Sequence, residues 1–395
     1  HIINMRRSII IMALCLLTSW TWAQEFQKTS SGIKTAISGK QTDIEIQWFG
    51  PNTLRVLKTP QGKSVKKESL SVIAHPQNSG IKITTPGNGC IVMTSQTLTV
   101  TLNPQTGIIT YAKPNGDTLL IEQENVKAFT PINDAGRSTY SVYQGFTTSK
   151  EEGLYGLGQL QNGQMMQRDI TKHLVQGNVE DVSPFFQSTK GYGVFWDNYS
   201  GTTYTDNEQE TSFRSEIGDC IDYYFMYGGS ADGVIAEVRA LTGDVPMMPL
   251  WSYGFMQSKE RYKSQEETVG DWQYWGHNYL WNAMDFQNPT FSRPKDMIDE
   301  VHALNARMMI SIWSSFGPAT KPYRALDKEG LLFDIETWPQ SGVDGWPPNM
   351  EYPSGVRVYD AYSPKARDIY WEHLNKGIFQ LGMDGWWMDS TEPDH

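Results

Sequence analysis

The sequence predicts two domains: an antiparallel β-sandwich over residues 24–247, followed by the first half of a (β/α)8 barrel over residues 248–395. In residues 24–247, apolar and polar positions alternate in short runs, which turn residues interrupt about every 8 to 12 positions. After residue 247, helices with one apolar face lead directly into fully apolar strands, which is typical of a parallel sheet covered on both faces. This second part is much shorter than the roughly 250 residues of a whole barrel, so half of one is expected.

The stretch "GIKITTPGNGCIVMTSQTLTVTLNPQTGIITYAKPNGDTLLIEQ" is representative of the first domain. Its alternating positions bury one face of each strand, and its Pro-Gly and Asn-Gly pairs mark turns between strands. Helical periodicity is nearly absent from residues 24–247, so this domain is expected to consist almost entirely of strands.

Two helices are predicted in the second domain, each followed by a strand. The segment "RPKDMIDEVHALNA" has Pro294 near its start and four apolar residues on one helical face, namely Met297, Ile298, Val301 and Leu304. The segment "SPKARDIYWEHLNKGIFQLG" has Ser363 as its N-cap and Gly382 as its stop.

Four barrel strands are predicted, at residues 251–256, 269–275, 307–313 and 384–389. Each ends in polar or aromatic residues, and the C-terminal ends of barrel strands form the active-site face. Only a short segment separates the first two strands, whereas a parallel crossover needs about a dozen residues or more. The first barrel helix is therefore expected to be missing.

Composition and charge exclude several classes of partner. With 33 basic and 44 acidic residues the chain carries a net charge of -11 and has no basic run, so neither nucleic acid nor an anionic membrane surface is expected as a partner. A neutral substrate such as an oligosaccharide agrees with this balance.

The N-terminal segment predicts export. Arg6 and Arg7 precede a short apolar run, and Ala23 ends a small-residue cleavage site, so residues 1–23 are interpreted as upstream residues and a secretory signal peptide. The protein is therefore expected to be periplasmic or secreted. No stretch has the roughly 20 apolar residues of a membrane span.

Cysteine and histidine spacing predicts neither a metal nor a cofactor. Cys15 lies in the signal segment, while Cys90 and Cys220 either form a disulfide or remain as two free thiols. The seven histidines have no metal-ligand spacing, and no C-x-x-C pair is present.

The last strand, within "DGWWMDSTEPDH", carries the candidate chemistry. Because side chains alternate along a strand, Gly385, Trp387 and Asp389 share one face, and Asp389 is the last residue on it. A carboxylate at a barrel mouth can attack the anomeric carbon of a sugar. An acidic surface turn after a core strand has the same spacing, and on the residues alone both interpretations stay open.

Other acidic and aromatic residues of the predicted barrel are interpreted one by one. Glu392 follows where the chain turns over the barrel mouth, so it can orient Asp389 or bind a sugar hydroxyl. Asp384 lies at the opposite end of the strand and is interpreted as a loop or helix-cap carboxylate. From the residues alone, Trp313 and Trp387 are interpreted as core aromatics.

The segment "DGWWMDSTEPD" resembles the catalytic strand of glycoside hydrolase family 31, with its Trp-x-Asp-x-x-Glu pattern, and is particularly similar to the α-xylosidases. Further blocks resemble the family in the same order: "EEGLYGLGQ", "STKGYGVFWDNYS", "DYYFMYGG", "ALTGDVPMMPLWSYGFMQSKERY", "DWQYW" and "MMISIWSSFGP". Several blocks in order carry more weight than any single motif.

The resemblance implies a retaining, exo-acting α-glycosidase that removes α-linked xylose. It assigns Asp389 as the nucleophile, Asp271 as a carboxylate that binds hydroxyls of the terminal sugar, and Trp313 and Trp387 as pocket walls. The family's acid/base carboxylate comes from a later strand and is absent from this chain. The chain is therefore expected to be an inactive N-terminal fragment. The alternatives are an α-glucosidase or another α-glycosidase of the same family, and a non-catalytic carbohydrate-binding remnant.

Overall fold

A computed structural model describes residues 26–124, 127–177, 180–256, 282–286, 291–336 and 355–391. The chain divides into two compact units between Val245 and Pro246, with the short segment Gln176–Glu180 grouped with the second unit. The predicted strand at 269–275 and the predicted absence of a helix before it lie outside the described residues, as does the signal segment.

Antiparallel strands form almost all of the first unit. The strands are β1 (Gln27–Lys28), β2 (Gly32–Ile37), β3 (Thr42–Trp48), β4 (Thr53–Pro60), β5 (Lys82–Thr84), β6 (Ile91–Thr94), β7 (Thr99–Leu102), β8 (Ile109–Ala112), β9 (Thr118–Glu122), β10 (Phe129–Asp134), β11 (Arg137–Thr147), β12 (Leu154–Gln159), β13 (Thr171–Leu174), β14 (Asp181–Ser188), β15 (Tyr192–Trp196), β16 (Thr202–Asp206), β17 (Thr211–Gly218) and β18 (Ile221–Tyr227).

These strands form two sheets that enclose one apolar core. One sheet has the order β1-β2-β3-β4-β18-β15-β14-β12, and the other has the order β13-β16-β17-β11-β9-β8-β7-β6-β5 with β10 paired to β11. Residues of both sheets meet in a single buried cluster, which includes Trp48 of the first sheet and Tyr111 of the second. The predicted antiparallel sandwich is confirmed.

Alternation explains how each strand contributes to this core. In β3, Ile44, Ile46 and Trp48 are buried, while the intervening Glu45 and Gln47 are partly exposed. A strand with this period buries one face and leaves the other in contact with water.

One helix in the first unit was not predicted. Helix α1 (Ala231–Thr242) starts at Ser230, whose side chain accepts a hydrogen bond from the backbone N–H of Gly233, and ends at Gly243 with φ of 88°. Its Val234 and Leu241 pack in a cluster with Phe49, outside the main core. The Ser N-cap and the terminal Gly were visible in the sequence as helix boundaries.

The second unit contains helices and a parallel strand pair. Its elements are α2 (Pro294–Ala303), β19 (Met309–Ile312), β20 (Ser315–Phe316), α3 (Lys321–Lys328), β21 (Leu332–Glu336), β22 (Arg357–Tyr359), α4 (Pro364–Gly377) and β23 (Gly385–Met388). Strands β19 and β23 pair in parallel, while β20, β22 and β21 form a small antiparallel sheet. The predicted strands at 307–313 and 384–389 are confirmed in shortened form as β19 and β23.

The strand predicted at 251–256 is wrong. Leu250–Tyr253 forms a 3-10 turn instead, in which the backbone N–H of Gly254 donates to the carbonyl of Trp251. Pro249 immediately precedes this turn, and its fixed φ together with Gly254 favours a tight turn over an extended strand.

The two predicted helices are confirmed as α2 and α4, whereas α3 was not predicted. Helix α4 ends at Gly377, and Gly382, which was predicted as its stop, instead ends a 3-10 turn over Phe379–Leu381. Met297, Ile298 and Val301 of α2 are buried against β19, but Leu304 follows the last helical residue as the C-cap and is exposed. Ser363 caps α4 by accepting a hydrogen bond from the backbone N–H of Ala366. None of the helices described here has the length and apolar character needed to cross a bilayer.

Cys90 and Cys220 are both free thiols, and their surroundings differ. Burial raises the pKa of Cys220 to about 12, with a further contribution from the negative charge of Asp222. Because the thiolate is the reactive form, iodoacetamide at mildly alkaline pH should alkylate Cys90 in the native protein and spare Cys220. Peptide mass mapping measures both sites, and unfolding in guanidinium should make both react. Equal labelling of the two in the native state would contradict the buried position of Cys220.

Candidate active site

Asp389 lies at the C-terminal end of the parallel strand pair. The register pairs Met309 with Gly385 and continues to Ile312 with Met388. Beyond the last pair, the backbone N–H of Asp389 donates to the carbonyl of Ile312 at 2.9 Å. Asp389 therefore extends the ladder by one residue and stands where β23 ends.

The two faces of this strand pair differ in what they contact. Ile310 and Ile312 are buried among the helices, and Trp386 of the neighbouring strand packs against the same cluster. By alternation, Trp387 and Asp389 belong to the opposite face. Trp387 is 57% exposed there. A flat aromatic surface that is open to solvent therefore lies two residues before Asp389, on the same face of the strand.

Trp251 lies on this same face. A Cβ atom built on Gly385 would lie 3.4 Å from the ring of Trp251 and 3.1 Å from the side chain of Met309. The absence of a side chain at Gly385 therefore lets the indole of Trp251 approach β23 closely. The 3-10 turn that replaces the predicted first strand places this ring beside the strand pair.

Trp313 follows β19 and is held through its backbone. The side-chain amide of Asn282 donates to the carbonyl of Trp313 at 2.7 Å and to that of Ser315 at 2.9 Å. The hydroxyl of Tyr370 donates to the same Trp313 carbonyl at 2.7 Å. Burial, and the nearby ring of Tyr359, hold the pKa of Tyr370 well above its ordinary value, so this hydroxyl retains the proton it donates. The indole of Trp313 is only 5% exposed.

The backbone turns at Asp389 and Ser390, and these two residues are called the hook below. The backbone N–H of Ser390 donates to Oδ1 of Asp389 at 3.0 Å, and the carbonyl of Ser390 accepts a hydrogen bond from Oγ of Ser314, also at 3.0 Å. Ser390 has φ of 45°, in the left-handed region that residues with side chains rarely adopt. The carboxylate of Asp389 is thus oriented by the residue that follows it.

Comparison with known proteins agrees with this fold and strand arrangement. Residues 43–204 match the glycosyl hydrolase 31 N-terminal galactose mutarotase-like domain, and residues 245–395 match the glycosyl hydrolases family 31 TIM-barrel domain. The chain is 32% identical over 379 residues to an α-xylosidase of Saccharolobus solfataricus, a match that covers 89% of this chain and 48% of the relative.

The chain belongs to glycoside hydrolase family 31.

Two further relatives illustrate the range of this family. The chain is 23% identical over 390 residues to alpha-glucosidase 2 of Bacillus thermoamyloliquefaciens, covering 89% of this chain and 46% of that protein. A crystal structure of a GH31 α-xylosidase from Xanthomonas citri shares the fold with a TM-score of 0.82 at 24% identity, covering 93% of this chain and 58% of the other. The family 31 chain thus spans about half the length of the curated relatives it matches.

The structure brings some of the predicted site residues together. Asp389 and Trp387 share one face of β23, and Trp313 follows the end of the adjacent strand. Asp271 and Glu392 lie outside the described residues. Across the described ranges, no three His, Cys, Asp or Glu side chains group in a way that could hold a metal ion.

Asp384 lies at the opposite end of β23, where it links strand and helix. Its Oδ2 accepts a hydrogen bond from the backbone N–H of Met308 at 2.9 Å and contacts Nε2 of His302 at 2.7 Å. In a (β/α)8 barrel, residues at the N-terminal ends of the strands stabilise the fold, and these two contacts of Asp384 agree with that role.

Sequence reasoning did not identify Asn282, Ser314 or Ser390. Asn282 and Ser314 donate to backbone carbonyls that are distant in sequence, and Ser390 provides the carbonyl that Ser314 binds. No periodic pattern marks such contacts. The only signal for Ser314 was its position just past the apolar strand "RMMISIW", where polar residues of a barrel collect.

Proposed function

We propose that the protein containing these 395 residues, called the whole protein below, is a retaining, exo-acting α-glycosidase that removes terminal α-linked xylose from oligosaccharides. The observation that carries the proposal is the position of Asp389 at the C-terminal end of β23, beside the end of the parallel strand β19. Chemistry in a (β/α)8 barrel takes place at this face. Two relatives named α-xylosidase support xylose as the sugar.

The reaction proceeds in two displacements. An oxygen of Asp389 attacks the anomeric carbon while the glycosidic C–O bond breaks, and a second carboxyl group transfers its proton to the departing oxygen. A glycosyl ester on Asp389 results. The second carboxylate then takes a proton from water, which attacks the same carbon and releases xylose with its original configuration. In retaining enzymes the two carboxyl groups are about 5 to 5.5 Å apart, so no water fits between them during the first step.

The residues around Asp389 suit a pyranose ring. Trp387 is exposed on the face that carries Asp389, and an indole offers an apolar surface to the C–H groups of a sugar. Trp251 lies against Gly385 two residues before Trp387 on the same face. These rings set the apolar side of the pocket, while the hydroxyl groups of the sugar require polar partners such as the proposed Asp271.

An α-glucosidase is the second candidate, favoured by the likeness to alpha-glucosidase 2 of Bacillus thermoamyloliquefaciens. Xylose and glucose differ by a hydroxymethyl group, so the choice depends on whether the pocket has room for it. A carbohydrate-binding protein without catalysis is the alternative of another class, because the exposed ring of Trp387 can bind a sugar without any chemistry at Asp389.

Kinetics on two activated substrates test the proposal. The whole protein should hydrolyse α-xylosyl fluoride with a higher kcat/KM than α-glucosyl fluoride, and NMR should detect α-xylose as the first product. A pocket without room for the hydroxymethyl group disfavours glucose, and a difference of about one methylene-sized group is worth about 1–3 kcal/mol, which corresponds to a preference of roughly 10- to 200-fold for xylose. A preference for the glucosyl substrate would support the α-glucosidase, and β-xylose as first product would exclude retention. Binding of α-xylosyl oligosaccharides without turnover of either fluoride would favour the non-catalytic protein.

A further inference from the structure

We propose that Ser314 is a positioning residue that fixes the carboxylate of Asp389 for attack. The inference rests on the proposed function, since it concerns the same nucleophile, and it assigns a role to a residue that has no chemistry of its own in the reaction. Three hydrogen bonds among Ile312, Ser314, Asp389 and Ser390 carry it.

The chain is held on both sides of the Asp389 side chain. Before it, the backbone N–H of Asp389 donates to the carbonyl of Ile312 at 2.9 Å. After it, the carbonyl of Ser390 accepts from Oγ of Ser314 at 3.0 Å. Both anchors come from the segment at the end of β19, so one strand end holds the two flanks of the hook.

The carboxylate of Asp389 is itself held by a hydrogen bond. Between the two anchors, the backbone N–H of Ser390 donates to Oδ1 of Asp389 at 3.0 Å. This bond fixes the rotation of the carboxylate about its last torsion angle. Because Oδ1 is engaged, Oδ2 is the oxygen presented to the anomeric carbon.

The backbone conformation of Ser390 requires an anchor. Ser390 has φ of 45°, a conformation that costs energy for any residue with a Cβ atom and persists only when its surroundings impose it. Ser314 and Ser390 are both buried, so the hydrogen bond between them does not compete with bulk water. Without it, the backbone of Ser390 is expected to relax, and its N–H would turn away from Oδ1 of Asp389.

Ser315 provides a matched control. It is adjacent to Ser314, is 2% exposed, and its hydroxyl has no hydrogen-bond partner among the residues that the structure describes. Ser315→Ala removes the same hydroxyl group as Ser314→Ala, one residue further along the chain, and it leaves the hydrogen bonds of Asp389 and Ser390 unchanged.

The test compares four variants of the whole protein on α-xylosyl fluoride: Ser314→Ala, Ser314→Thr, Ser314→Cys and Ser315→Ala. Active sites are titrated with a slow covalent α-xylosyl inactivator, so that kcat refers to folded, competent molecules. A displacement of about 1 Å at a reacting group can cost roughly 100-fold, so Ser314→Ala should lower kcat by about 10- to 100-fold with little change in KM. Threonine keeps the hydroxyl and should restore kcat, and Ser315→Ala should match the wild type.

The outcomes separate this inference from the proposed function. If the wild type is labelled on Asp389 but Ser314→Ala has wild-type kcat for each titrated site, the positioning role is wrong while the nucleophile stands. Failure of the wild type to label Asp389 overturns both. If alanine prevents folding, the cysteine variant decides, because its thiol is nearly isosteric but a weak donor. Wild-type kcat for the cysteine variant would contradict the proposal, and a loss that threonine does not share would support it.

Discussion

Replacing Asp389 with asparagine in the whole protein should lower kcat on α-xylosyl fluoride by about 10⁴-fold or more, because an amide cannot form the glycosyl ester. The fold should be unaffected, since an asparagine side-chain carbonyl can still accept the hydrogen bond from the backbone N–H of Ser390. Binding of xylose should persist, because the groups that hold the sugar are unchanged. Steady-state kinetics and isothermal titration with xylose measure the two effects separately.

Asp384→Asn is the matched control for this variant. It makes the same chemical change in a carboxylate just before β23, at the opposite end of the strand, where Asp384 contacts Met308 and His302. Its turnover on α-xylosyl fluoride should stay close to that of the wild type. Comparable losses in both variants would show that the strand, and not the nucleophile, was damaged.

The second large effect concerns the stability of the sandwich. Lys58→Met should reduce the free energy of unfolding of the first unit by about 3–5 kcal/mol, since it leaves the buried carboxylate of Glu122 without its counter-charge. Nζ of Lys58 lies 2.6 Å from Oε1 of Glu122, and the Glu122 side chain is completely shielded from solvent. Hydrogen exchange of peptides from β4 and β9 in increasing urea reports this free energy.

Other groups of the sandwich core depend on the same carboxylate. The hydroxyl of Tyr223 donates to Oε1 of Glu122 at 2.6 Å, the hydroxyl of Tyr111 lies 2.6 Å from that of Tyr223, and the backbone N–H of Ile109 donates to Oε2 at 2.9 Å. Burial, reinforced by the charge of Glu122, holds the pKa of both tyrosines well above the ordinary value. Both phenols therefore stay protonated and act as donors.

A double-mutant cycle isolates the ion pair. Lys58→Met combined with Glu122→Gln should cost less than the sum of the two single changes, because the neutral amide does not need a counter-charge. The exposed pair Lys150 and Glu208, at 3.3 Å, provides the control, and Lys150→Met should leave the unfolding midpoint unchanged. Additive losses in the cycle would mean that the contact between Lys58 and Glu122 contributes no coupling.

The sequence predicted those parts of the fold that depend on local periodicity. The alternation of Ile44, Ile46 and Trp48 is visible without knowledge of their partners, and so is the apolar face of α2. The strand at 251–256 was wrong because a short apolar run does not distinguish a strand from a turn, and Pro249 decided the outcome locally. Helix α1 was missed because only Val234 and Leu241 among its residues are buried, so its apolar face is too narrow to give a clear helical period.

At the site, the sequence predicted Asp389 at the strand end but not the residues that hold it in place. The position of Asp389 follows from counting along one strand, so the face of the strand and the strand end at which it lies could both be predicted. Its orientation depends on Ser314, which is 75 positions earlier in the chain and reaches it only because β19 and β23 are neighbours. The amide of Asn282 holds the backbone of Trp313 in the same way, through a contact that only the folded chain brings about.

The site of covalent labelling is the most direct test of the account. An α-xylosyl fluoride with a second fluorine at C5 reacts slowly in both displacements, but its fluoride leaves without protonation, so the glycosyl ester accumulates. Mass spectrometry of peptides from the inactivated whole protein should find one xylosyl-derived adduct, on Asp389, and none in the Asp389→Asn variant. An adduct on any other residue, or inactivation with no adduct on Asp389, would contradict the assignment of the nucleophile.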